Sequence, residues 1–141
     1  MQTVLLAGNG APWDEIAERF GLTGRRILRA GDMAMARRML QSAPELLLTD
    51  LVLAGGDGAA LITERPKKTC AVVLSYIRSE AICAAAARCG AGEYIALPAP
   101  ASEIVRRAAA CEKRTAETIV KNRVYEPVFY RSQDRAARLC G

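Results

Sequence analysis

The chain has 141 residues, about half apolar and a quarter charged, with few aromatics, which is the size and balance of one soluble α/β domain with a sizeable core. It contains no histidine, so it lacks the commonest general base, the usual nitrogen metal ligand and any phosphohistidine chemistry of its own. The net charge of +5 is uneven: residues 101–141 carry +4 and residues 1–100 carry +1, which reads as a solvated helix face and tail, the alternative being a surface for nucleic acid or an acidic partner.

The first apolar run, TVLLAG from Thr3 to Gly8, reads as a buried strand. PWDEIAERFGL follows with Pro12 in a position suited to a first helical turn and apolar residues at Trp13, Ile16, Ala17 and Phe20, which predicts a helix closed by Gly21 and Gly24. RRILRA, Arg25 to Ala30, is a short second strand. Asp32 is placed to cap a helix whose apolar side comprises Met35, Ala36, Met39 and Leu40 and which Pro44 ends.

ELLLTD, ending at Asp50, is apolar on both faces, as expected of a central strand in a parallel sheet. Asp57 caps GAALITER as the next helix, which ends near Pro66. CAVVLS, Cys70 to Ser75, is a fourth strand. Ser79 caps the alanine-rich helix after it, and Gly90 and Gly92 end that helix. EYIAL is the fifth strand, and SEIVRRAAACEKR the fifth helix, with a pattern that permits continuation through TAETIVKNR. The remaining segment breaks at Pro127 and offers Val128, Phe129 and Tyr130 as anchors for an arm that packs on the fold or on a second subunit.

Five strands each followed by a helix make a doubly wound parallel sheet with helices on both faces. No apolar run approaches the ~20 residues that span a bilayer, and MQTVLLAGNG lacks the basic start and long apolar core of a signal peptide. The expectation is therefore a cytoplasmic protein without membrane contact. The cysteines (Cys70, Cys83, Cys89, Cys111 and Cys140) are odd in number, spread out and free of C-x-x-C, which argues against a zinc site or a disulfide framework. Cys83 and Cys89 read as small apolar residues in or beside the alanine-rich helix.

In an open parallel sheet, ligands gather at the carboxyl ends of the strands. Those ends are Gly8 and Asn9, Asp50, Ser75, and Leu97 before Pro98, and Asp50 is the one carboxylate among them. GNG after the first strand lacks the second half of either phosphate-cradling glycine motif. Without histidine, a second carboxylate or a cofactor fingerprint, an enzyme is not expected.

ELLLTDLVLAGGDGAALI resembles the third strand, phosphate-accepting aspartate and Gly-x-Asp-Gly turn of response-regulator receiver domains in two-component signalling. AVVLSYIRSEAICAAAARCGAGEYIALPAP resembles the family's switch hydroxyl, Gly-Ala-x-Tyr segment and the proline after strand five. The resemblance implies a flavodoxin-like sheet of order 2-1-3-4-5 over residues 1–114, with residues 115–141 a helical extension, linker or arm. It implies Asp50 as phosphoacceptor, Ser75 and Tyr94 as the switch pair, and the backbone carbonyl of Val52 as a Mg²⁺ ligand. It also implies an acidic pair where this chain has Gly8 and Asn9, and a lysine where it has Leu97. Mg²⁺ usually relies on one or two carboxylates, so its binding is expected to be weak, with Asn9, Asp50 and Val52 as candidate donors. Arg78, three residues past Ser75, is a candidate replacement cation.

The resulting expectation is an atypical receiver, phosphorylated by a sensor histidine kinase or phosphotransfer protein if at all. Its output would pass through a homodimer or an effector domain, and it would meet nucleic acid only indirectly. The alternative is a scaffolding module with the receiver fold and no phosphoryl chemistry, such as those on pilus-assembly ATPases.

Overall fold

The computed structural model describes residues 2–124, with side chains through residue 117. Pro127, the Val128–Tyr130 anchors and Cys140 lie outside the described residues. In chain order the elements are β1 (Thr3–Ala7), α1 (Ala11–Gly21), β2 (Arg26–Ala30), α2 (Met33–Leu40), β3 (Leu46–Asp50), β4 (Val52–Leu53), β5 (Gly56–Asp57), α3 (Gly58–Glu64), β6 (Cys70–Ser75), α4 (Glu80–Cys89), β7 (Glu93–Ala96) and α5 (Ala101–Val124). Five strands form one parallel sheet of order β2-β1-β3-β6-β7. This is the expected 2-1-3-4-5 order, since β4 and β5 pair only with each other as an antiparallel hairpin.

Strand side chains alternate between two faces, and each face has its own core. Leu5, Leu47, Ala71 and Val73 pack with Met33, Ala36 and Leu40 of α2, Leu61 and Ile62 of α3, and Ala86 of α4. Val4, Leu6, Leu48, Val72 and Leu74 pack on the opposite face with Trp13, Ile16 and Phe20 of α1 and Ile104, Ala108 and Cys111 of α5. Because both faces of β3 and β6 are covered, their sequences are apolar runs rather than alternating ones.

The helix starts follow local chemistry. The side chains of Asp32, Asp57 and Ser79 accept hydrogen bonds from the backbone N–H of Met35, Ala59 and Ile82, at 2.7, 2.7 and 3.3 Å. Pro12 sits in the first turn of α1, and Gly90 ends α4 at φ 113°, where glycine has no steric penalty. The buried stripe of α2 differs from the expected one. Met33 is buried and Met35 is 36% exposed, because Asp32 starts the helix so that positions 33, 36 and 40 face the sheet. No helix among the described residues is long and apolar enough to cross a membrane.

Candidate functional site

Asp50 ends β3, half-buried at the carboxyl edge of the sheet. Its Oδ1 accepts the N–H of Val52 at 3.2 Å, a local turn that opens the β4–β5 hairpin. The hairpin is fastened to the next loop: the N–H of Met33 donates to the Ala54 carbonyl at 2.9 Å, and Asp32 bridges Ala54 in parallel register. On the other side, Gly58 brings the start of α3 against β3. Its N–H donates to the Leu51 carbonyl at 2.9 Å, and a Cβ there would overlap the Asp50 carbonyl oxygen and stand 3.0 Å from Thr49 Oγ1. The aspartate is therefore held by backbone on both flanks.

Ser75 and Tyr94 converge on one residue that neither motif singles out, Ile77. The hydroxyl of Ser75 accepts the Ile77 N–H at 3.1 Å, and the Tyr94 hydroxyl donates to the Ile77 carbonyl at 2.7 Å. Both side chains are buried, so this pair of bonds fixes the loop between β6 and α4. No sequence pattern marks Ile77, since its part is played by its backbone alone.

The positions that depart from the resemblance are filled in a specific way. Trp13, 2% exposed, lays its indole on Gly8: a Cβ at Gly8 would overlap Cε2 and stand 2.5 Å from Nε1 and 2.6 Å from Cδ2. The ring therefore occupies the space an acidic side chain would need at that position. Asn9 turns its amide to the neighbouring loop, Nδ2 donating to the Gly31 carbonyl at 2.7 Å. Leu97 is 4% exposed and packs in the α1–α5 core, its N–H donating to the Ser75 carbonyl at 2.8 Å. With Pro12, Glu15, Ile16, Tyr76 and Ile104 it lines a cavity of about 160 Å³, so an apolar side chain stands where a lysine is expected. Arg78 is exposed and its Nη2 donates to the Leu97 carbonyl at 3.4 Å, at the end of β7.

These residues do not fit a divalent cation. Mg²⁺ takes oxygen donors and usually one or two carboxylates, and the carboxyl ends of the five strands in the parallel sheet supply Asp50 alone, with one oxygen already accepting from Val52. Gly8 has no donor side chain, Asn9 is engaged with Gly31, and no group of three or more metal-binding side chains gathers among the described residues.

No family model matches the chain, and no curated protein does. Solved structures match over most of the chain. A response regulator protein from Burkholderia pseudomallei, solved with a phosphorylated aspartic acid, calcium ion and citrate, is 23% identical with a TM-score of 0.71, covering 91% of this chain and 76% of that one. The signal receiver domain of NarL from Mycobacterium tuberculosis is 22% identical with a TM-score of 0.71, covering 79% of this chain and 96% of that one. A CheY-like receiver domain protein from Methanospirillum hungatei is 15% identical with a TM-score of 0.76, covering 84% and 98%. The chain thus has the receiver-domain fold of response regulators, as the third-strand motif led one to expect.

Proposed function

We propose that the chain is a receiver module of two-component signalling that retains the phosphoacceptor position, Asp50, and acts through a protein–protein interface or a dimer rather than by ordinary Mg²⁺-dependent phosphoryl transfer. The observation that carries this reading is the indole of Trp13 on Gly8. Phosphoryl transfer to a carboxylate needs positive charge to offset the incoming phosphoryl group. An acidic pair to hold a cation is missing here, and Leu97 replaces the lysine with an apolar side chain.

What supports the receiver reading, as opposed to a fold kept for other reasons, is the placement of Ser75 and Tyr94. Ser75 follows Leu74, the β6 neighbour of Asp50, Tyr94 stands one strand further out on β7, and the two share Ile77, an arrangement that would couple the aspartate end of the sheet to the loop before α4. Any residual acceptance of phosphate from a sensor kinase or phosphotransfer protein would draw its cation from Arg78. The module carries out no reaction on a free substrate, and nucleic acid is reached through an effector.

The test is incubation of the full chain with Mg²⁺ and acetyl phosphate, then with beryllofluoride, followed by intact mass and tyrosine NMR. The expected result is an unchanged mass, unchanged Tyr94 signals, and an oligomeric state that Asp50→Ala leaves as it is. A mass gain of one phosphoryl group that disappears in Asp50→Ala would overturn the phosphate-independent reading. If that gain survived Arg78→Ala, the role given to Arg78 would fall with it.

A further inference from the structure

At the edge of the sheet opposite Asp50, two thiols 41 residues apart in sequence meet. Cys70 begins β6 and Cys111 lies on α5, with their Sγ atoms 2.8 Å apart and the residues 2% and 1% exposed. A disulfide needs a separation of about 2.05 Å, so closure requires a shift of under ~1 Å. The Cys111 thiol packs directly on the backbone of half-buried Gly92, where a Cβ would stand 2.5 Å from Cys111 Sγ and 3.6 Å from Cys70 Sγ.

We propose that Cys70 and Cys111 form a redox site, which a hydroperoxide converts to a disulfide stapling the start of β6 to α5. The two sulfurs are chemically unequal. The hydrogen bond shared with Cys111 lowers the Cys70 pKa against the opposing effect of burial, with the Thr115 hydroxyl and the charge of Arg114 acting in the same direction and the charge of Glu112 against it. The same bond and burial raise Cys111 far above an ordinary thiol, so it holds its proton. Within the pair, Cys70 is the sulfur that gives up its proton more readily.

In the first step the Cys70 thiolate attacks one peroxide oxygen, the O–O bond breaks, and Cys70 becomes a sulfenic acid. The departing hydroxide takes up the proton Cys70 released and leaves as water. In the second step the Cys111 sulfur attacks the Cys70 sulfur, the S–O bond breaks, and the hydroxyl leaves as water with the Cys111 proton. Two thiols lose two hydrogens and two electrons, and one hydrogen peroxide becomes two waters. The site is independent of the reading of Asp50.

The experiment treats the reduced full chain with hydrogen peroxide, alkylates the remaining thiols and maps peptides without reductant. Thermal unfolding is followed by circular dichroism before and after. The expected product joins Cys70 to Cys111 and is two hydrogens lighter. By closing a long loop, the link raises the melting temperature by about 10 °C, and dithiothreitol reverses the change. Cys111→Ser and Cys70→Ser each abolish both effects, and the wild-type comparison decides the matter alone if either variant fails to fold. The proposal is overturned if both thiols remain alkylatable after peroxide, if Cys70 stops at a sulfur acid, or if the link uses Cys83, Cys89 or Cys140. It is equally overturned if the link forms and the melting temperature stays in place or falls.

Discussion

Putting aspartate at Gly8 would bring back one acid of the expected pair, and the packing of Trp13 says it will damage the protein. The new Cβ overlaps the indole, which is itself 2% exposed among Val4, Leu6, Ile16 and Leu97, so the ring must leave a filled core. Overpacking costs typically ~1–3 kcal/mol, and a carboxylate placed against an aromatic face without a partner adds to it. Gly8→Asp should therefore lose about 2–4 kcal/mol, or roughly 10 °C in melting temperature. Urea unfolding measures the loss, followed by circular dichroism because Trp13 is the single tryptophan and is itself changed in the companion variant. Trp13→Ala alone should cost about 3–5 kcal/mol. Adding Gly8→Asp to it should then cost under about 1 kcal/mol, a coupling of at least ~1 kcal/mol between the two sites. The reasoning fails if Gly8→Asp lies within about 0.5 kcal/mol of wild type, or if its cost is the same with and without the indole.

Gly58→Ala should lose about 3 kcal/mol or more in the same urea assay, since the clash is with the backbone carbonyl of Asp50 and no rotamer can relieve it; a near-neutral result would mean that α3 is free to shift. Tyr94→Phe removes the bond to the Ile77 carbonyl and should cost about 1 kcal/mol. Hydrogen exchange should then speed up in residues 76–79 ahead of the rest of the sheet, and uniform protection would refute the coupling through Ile77.

Much of this was open to reading because local chemistry and packing agree. The apolar runs LLLTD and CAVVLS, covered on both faces, announce central strands, and the capping residues Asp32, Asp57 and Ser79 announce helix starts. Met35 misled because helix periodicity fixes a stripe only once the starting phase is known, and the cap at Asp32 put Met33 inward instead. The hairpin of β4 and β5 escaped notice since two-residue strands carry no periodicity. At the candidate site, Asp50 and Ser75 were legible as strand-end side chains, and Tyr94 through the resemblance of the Gly-Ala-x-Tyr segment. Trp13 was legible as a core residue of α1, yet its place over Gly8 depends on how α1 lies on the sheet. Cys70 and Cys111 were unreadable as a pair for a related reason: β6 and α5 bring them together across a separation that no spacing rule covers.

Helix α5 is fixed to the sheet by Ile104, Ala108 and Cys111, with ion pairs from Glu112 to Arg25 and from Arg114 to Glu93 just beyond them, and its backbone continues to Val124. At about 1.5 Å per residue, the anchored stretch measures roughly 10 Å and the helix beyond Cys111 roughly 20 Å. This is the geometry of a lever with a short arm on the core and a long one past it. Pivoting about Ile104, a displacement of about 1 Å at Cys111 becomes about 3 Å at Val124 in a rigid helix. Small adjustments where β6 meets α5 are thus amplified threefold by proportion alone at Val124.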